Sequence, residues 1–196
     1  LSYNWHNEEK TVFNVVFRNQ FSVPDQVSKQ NVIDELNKMN YTSLLHTKNR
    51  NYTPSIDLYF QQELGKNQTF LTNVVATYIS SDYFRNYQEN NQNESLYNYS
   101  YNTDGKKQTL QAEAIYENRF SQAIDFSVGL RFTQSHTENI YTMEGADVTN
   151  TMNNSDVYGY AQLQGALSKF SYQVGAGFSR ISVSYTHLRA HETRGN

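Results

Sequence analysis

From Ile124 to Thr133 every second residue is apolar: Ile124, Phe126, Val128, Leu130 and Phe132 alternate with Asp125, Ser127, Gly129, Arg131 and Thr133. A helix repeats every 3.6 residues and cannot produce that order, so the segment must be a strand with one apolar and one polar face. The pattern recurs along the chain. Ile56, Leu58, Phe60 and Leu64 oppose Ser55, Asp57, Tyr59, Gln61 and Glu63 within Thr53 to Leu64. Phe70, Val74, Ala76 and Tyr78 share a face in the segment from Thr69 to about Gln88. Gly159, Ala161, Leu163, Gly165 and Leu167 oppose Tyr158, Tyr160, Gln162 and Gln164, and Phe170, Tyr172, Val174, Ala176 and Phe178 oppose Ser171, Gln173, Gly175, Gly177 and Ser179. Leu1, Tyr3 and Trp5 alternate with Ser2 and Asn4, then lead through a polar turn into Thr11 to Phe21 as a hairpin.

These segments give an all-β, antiparallel up-and-down reading with about eight strands or strand pieces. Residues 6–10, 65–68, 118–123 and 168–169 form short connections, and residues 23–52, 89–96 and 145–156 form long ones, in strict alternation. The longest connection contains Pro24 and Asn31, and a short helix is expected over Val32 to Met39. Tyr97, Tyr99 and Tyr101 take odd positions whereas Leu110, Ala112, Ala114 and Tyr116 take even ones, so a bulge or small hairpin is expected at Asp104-Gly105.

Short turns on one side and long loops on the other are the arrangement of outer-membrane barrels, with the short side periplasmic. Segments of about 11 to 20 residues exceed the ~5–6 of ordinary sheets and suffice for the ~9–11 that cross a bilayer. Mean hydropathy is −0.76, and no apolar run approaches the ~20 residues of a membrane helix. A barrel wall tolerates such a low average, because only alternate side chains meet lipid. The 16 Tyr and 11 Phe, with only two Pro, suit strands and interfacial aromatic girdles. The 16 basic and 19 acidic residues leave no electrostatic footprint for nucleic acid. With no cysteine, disulfides and thiolate metal sites are excluded.

Chemistry-bearing constellations are sparse. His6, His46 and His136 stand apart in turns or strand ends without an accompanying nucleophile or orienting acid, so no catalytic, metal or cofactor residues are assigned. The lumen-facing parity of a barrel wall would hold Asp57, Asp125, Arg131, Tyr158, Tyr160, Gln162 and Gln164 as candidate contacts to a plug or a passing solute. Asp57, Asp125 and Arg131 could equally satisfy one another across strands. The tyrosines of residues 78–101 would ordinarily anchor at a membrane interface, with stacking on a sugar as the alternative.

The tail carries a histidine pair, His187 and His191, at helical metal-binding spacing. However, Val183 to Thr193 resembles the translation of a transposase mosaic end followed by a sequencing adapter. Residues 182–196 are therefore read as adapter-derived and the pair is discarded. With no initiating methionine at Leu1, residues 1–181 are expected to be a barrel segment incomplete at both ends.

Residues 51–61 (NYTPSIDLYFQ), 113–117 (EAIYE) and 126–132 (FSVGLRF) resemble barrel strands of TonB-dependent receptors and related outer-membrane β-barrel proteins of Bacteroidetes. The resemblance runs over about residues 1–181 and rests on strand texture. It implies a larger barrel of about 22 strands closed by a plug domain, lodged in outer-membrane lipid and importing a small solute with energy from the TonB system. A barrel serving adhesion or envelope assembly without transport, and a soluble carbohydrate-binding β-sandwich, are the alternatives from other classes.

Overall fold

A computed structural model describes residues 1–7, 10–36, 39–91, 94–121, 124–143, 146–167 and 169–189. They form nine strands: β1 Ser2–Asn7, β2 Thr11–Ser22, β3 Asp25–Asp34, β4 Met39–Gly65, β5 Gln68–Asn91, β6 Glu94–Ser121, β7 Ile124–Met143, β8 Ala146–Leu167 and β9 Phe170–Arg189. All pairings are antiparallel, in the order β1-β2-β4-β5-β6-β7-β8-β9. β3 lies off this path, against the half of β4 that β2 leaves uncovered: β2 pairs residues 51–62 of β4, and β3 pairs residues 39–48. Among the described residues β1 and β9 do not meet, so the sheet is open.

The sheet is a single layer. Among the described residues no hydrophobic side chain is buried, and Leu130, Phe178 and Val174 are 52%, 62% and 68% exposed. The accessible surface is 14577 Å², against about 9,600 Å² for a compact domain of this mass. About a third of the surface is thus area that a two-layered domain would have covered.

Cross-strand register shows how the alternation is used. Phe13 stands opposite Phe60, Phe60 opposite Thr72, Leu58 opposite Val74 and Ala76 opposite Leu110. The same face continues through Ala114 opposite Leu130, Val128 opposite Ala161 and Ala161 opposite Ala176. Apolar residues therefore join into one band across the sheet, running from Phe70 to Tyr78 in β5, Ile124 to Phe132 in β7 and Phe170 to Phe178 in β9. Beyond the band, at the end away from Gly65-Lys66-Asn67-Gln68, the same face turns polar at Ser80, Lys106, His136 and Ser155. Both faces of the sheet are polar there.

Three expectations fail in that polar half. The connection 23–52 is not a loop with a helix: β3 ends at Asp34, Glu35 and Leu36 lie in a turn, and β4 starts at Met39, so Val32 to Met39 spans a hairpin end, with residues 37 and 38 outside the described residues. This hairpin raises the strand number from eight to nine. Residues 89–96 and 145–156 likewise belong mostly to strands, and β4, β5 and β6 reach 27, 24 and 28 residues. With both faces polar the alternation loses its amplitude, and a paired strand looks like loop. The long connections are long hairpins.

Asp104-Gly105 is also regular: Asp82 pairs with Asp104 and Ser81 with Gly105 in an unbroken ladder. What changes at that point is which face carries the rings. The register shifts instead occur between Glu89 and Asn90 of β5, skipping Leu96, between Glu63 and Gly65, skipping Leu64, and between Arg119 and Ser121, skipping Phe120. Of the expected short turns, residues 8, 9, 122, 123 and 168 lie outside the described residues; Lys66 and Asn67 form the one between β4 and β5.

Residues 183–189 continue β9 opposite 148–154 through backbone pairing. Such pairing is open to any extended chain beside a strand edge. His191 lies outside the described residues.

Candidate functional site

The register places Asp57, Asp125, Arg131, Tyr158, Tyr160, Gln162 and Gln164 on the polar face, but not as one group. Asp57 on β4 is three strands from β7, about 14 Å at the usual spacing. Its Oδ2 receives Nη1 of Arg18 at 3.5 Å. Asp125 instead receives Nε of its cross-strand neighbour Arg119 at 2.8 Å. Arg131 lies over the ring of Tyr158, its Cζ 5.2 Å from the centroid. Each of the three candidate ions therefore has its own partner, and the alternative in which they satisfy one another is corrected. Both ion pairs are partly exposed and contribute little to stability.

The residues of β7 and β8 do form a site. Tyr158 and Tyr160, two apart on one face, stack with ring centroids 5.9 Å apart and planes at 29°. Tyr160 can lie flat because its neighbour on β7 is Gly129, where an added Cβ would come within 2.3 Å of the Tyr160 ring. Gln162 Nε2 donates to Gln164 Oε1 at 3.2 Å. With Asn67, Glu117, Arg119 and Asp125 these side chains line an open groove of about 590 Å³ near the Lys66-Asn67 turn. A stacked aromatic wall opposite carboxamide, carboxylate and guanidinium groups can bind a polar organic surface. No cluster of metal-ligating side chains exists among the described residues.

Gly129→Ala should force the Tyr160 ring out of its stack and cost about 1 kcal/mol. Urea unfolding in detergent micelles would measure it, and Tyr158→Ala in the same background should then cost much less than it does alone.

A second constellation lies at the other end of the polar face. Tyr83, Tyr87, Tyr97, Tyr99, Tyr101 and Tyr141 share this face: Tyr87 pairs with Tyr99, Tyr83 with Thr103, and Thr103 with Tyr141. Ring pairs Tyr83–Tyr101, Tyr87–Tyr97 and Tyr101–Tyr141 lie at 6.4, 6.2 and 6.3 Å. Interfacial anchoring would require the apolar face at the level of the band, which Tyr78 satisfies and these six do not. The signal was present in the sequence: Tyr97, Tyr99 and Tyr101 alternate with Asn98, Ser100 and Asn102 in the register of Glu113 and Gln111. The Tyr87 hydroxyl donates to Glu89 Oε1 at 2.6 Å, and this bond raises its pKa from the ordinary tyrosine value.

His46 and His136 are strand residues with partners rather than loop residues: His46 Nε2 lies 2.7 Å from Asp25 Oδ1, and His136 Nδ1 lies 2.6 Å from Asn153 Oδ1. Among the described residues five side-chain atoms are buried without a hydrogen-bond partner, on Asn14, Asn49, Asn73, Thr137 and Asn154, and all five residues have polar-face parity. That face requires water or a further polar surface against it.

The fold thus defines an all-β, antiparallel, up-and-down sheet, one layer thick, with a continuous apolar band on one face and two aromatic polar sites on the other, as a segment of barrel wall would have. Comparison with known proteins returns no matching family model and no matching curated sequence.

Proposed function

We propose that the chain forms part of the wall of an outer-membrane β-barrel in the bacterial cell envelope, and that the barrel belongs to a TonB-dependent nutrient uptake receptor. The observation that carries the membrane reading is the exposed apolar band on a single-layered sheet. Its run of Phe70 to Tyr78 in β5, and equivalent runs in β7 and β9, match the ~9–11 residues with which a tilted strand crosses the hydrocarbon. Aromatic side chains mark its two margins: Phe120 and Phe126, with rings 6.3 Å apart, lie at the short-turn end, and Tyr78, Phe132 and Phe178 at the other. Such girdles sit where hydrocarbon gives way to headgroups. No helix of the described residues is long and apolar enough to cross a membrane, and strands are the other way to do so.

The receptor reading rests on the strand resemblance and on the polar face. That face would line the interior, with the β7–β8 groove at the periplasmic end where a plug domain would sit, and the strands would continue past the bilayer into a tall outer vestibule. Further strands would pair with the edges at β1 and β9.

Trp5, the only tryptophan, tests the orientation. It lies on the apolar face opposite Phe13 and is 45% exposed. In phosphatidylcholine vesicles its emission should shift to the blue and be strongly quenched by brominated acyl chains, but little by aqueous iodide. Quenching by iodide alone would reject the membrane wall. Given insertion, cells carrying the intact gene should lose high-affinity uptake of the nutrient when TonB is inactivated; TonB-independent function would favour an adhesion or assembly barrel.

A further inference from the structure

We propose that the tyrosine platform of β5, β6 and β7 is a binding site for a neutral carbohydrate, engaged through stacking on pyranose rings. The inference rests on the reading of the polar face as the barrel interior, and names the substrate class that the outer vestibule would admit.

The platform is built from regular strand geometry. Alternate residues of β6 put Tyr97, Tyr99 and Tyr101 on one face along ~13 Å of strand, while Tyr83, Tyr87 and Tyr141 flank them from the neighbouring strands. Tyr101 is the centre, edge-on to Tyr83 at 65° and nearly parallel to Tyr141 at 28°. The group covers several strands and offers ring faces at different angles, as a chain of sugar units would require. Tyr97 is 52% exposed, and the other five are half-buried.

The row next to Tyr83 and Tyr141 is Ser81, Gly105 and Asn139. Because Gly105 has no side chain, Asn139 Oδ1 reaches across it, 3.0 Å from where a Cβ would be. In the Tyr83 row, Asn49 Oδ1 is buried and lacks a hydrogen-bond partner. The Asn139 carboxamide, beside a set of rings, supplies hydrogen bonds that hydroxyls need, while the rings take the C–H faces of the sugar.

Charge separates this ligand from other ring compounds. On the polar face of these rows, β5 supplies one cation, Arg85, and one anion, Glu89, and β4 contributes Ser43, Leu45, Thr47 and Asn49. An anionic chelate or a phosphorylated solute would call for excess Arg and Lys; a neutral sugar calls for balance. Tyrosine pairs in sheets also stabilise their own strands, but this role alone gives no reason for a glycine at position 105 over which Asn139 extends its carboxamide beside the rings.

The test uses the full chain in phosphatidylcholine vesicles, with neutral hexasaccharides of glucose, mannose, galactose and xylose as separate probes and an oligogalacturonate as the acidic one. Titration calorimetry should detect at least one neutral probe, and Tyr83→Ala with Tyr101→Ala should weaken it at least tenfold. Tyr83→Phe with Tyr101→Phe keeps the rings and should weaken it less than about threefold, which separates stacking from misfolding. Tyr78→Ala, on the apolar face, should leave the affinity unchanged. No neutral probe bound, equal binding by the double alanine variant, or preference for the acidic probe would each overturn the proposal. Trp5 quenching in the same vesicles keeps the two readings apart: a quenched chain that binds no sugar loses only the carbohydrate site, and an unquenched one loses the barrel reading beneath it.

Discussion

Leu130→Arg should destabilise the bilayer-inserted chain by about 1–3 kcal/mol, between the ~2–4 kcal/mol of an arginine facing lipid at the midplane of a membrane barrel and the ~0–1 kcal/mol of one near its interface. Leu130 is the penultimate apolar residue of the β7 run from Ile124 to Phe132, flanked across the sheet by Ala114 and Gly159. Those small neighbours offer no polar group, and little side chain along which a guanidinium could be screened. Thr133→Arg places the same charge three residues on, with Gln111 and Asp156 as its cross-strand neighbours, on the face that the reading assigns to water. It should change stability by less than about 1 kcal/mol. Urea titrations of the vesicle-bound chain, followed by strand circular dichroism, would compare the two. Equal costs would mean that the faces are not lipid and water. A water-soluble sandwich would also be destabilised by Leu130→Arg if Leu130 were covered there, but such a chain would remain in solution, where sedimentation detects it.

The apolar band was legible because the two parities of each strand differ most in chemistry there. Ile124 to Phe132 allows only one assignment of faces. The polar half was not legible for the complementary reason. In residues 39–52, Leu44 and Leu45 are adjacent, and Asn, Thr, Lys and Arg occupy both parities, so no pattern distinguishes strand from loop. What holds those residues in β4 is the backbone ladder to β3 and β5, which is indifferent to side-chain polarity.

The candidate site was legible in part. Parity placed Tyr158, Tyr160, Gln162 and Gln164 on a common face, and the register brings them to one groove with Asp125. It could not show that Asp57 is strands away or that Arg119 takes up Asp125, because both depend on cross-strand register. The outer tyrosines were assigned to the membrane interface because aromatic clusters near strand ends usually belong there. The unexpected length of the strands carries them beyond the apolar band, and their odd parity puts them on the polar face.

Register also governs the largest effect expected from a single inserted residue. One alanine placed between Val128 and Gly129 shifts the rest of β7 by one position, turning Arg131 and Thr133 to the apolar face and Leu130 and Phe132 to the polar one. The arginine, brought to the Phe132 position at the margin of the band, costs up to about 1 kcal/mol, and each large apolar side chain moved out of lipid adds about 1.5–3 kcal/mol. The chain could avoid this only by bulging the extra residue. The three existing bulges show where that is possible. Leu64 lies beyond the β2–β4 ladder, which ends at Gln62; Leu96 lies beyond the β6–β7 ladder, which begins at Tyr101; Phe120 lies beyond the β5–β6 ladder, which ends at Asn118. At each bulge the ladder to a second neighbour has already ended, so only one partner strand has to accommodate the skipped residue. Residues 128 and 129 are paired to β6 and β8 at once, and a bulge there must distort both ladders. The insertion should therefore abolish membrane folding, read as loss of Trp5 quenching by brominated lipid. One alanine inserted between Leu96 and Tyr97, next to an existing bulge and outside the band, should leave that quenching intact. If both insertions fold equally well, the two-sided ladder does not fix the faces, and the assignment of lipid and interior from parity falls with it.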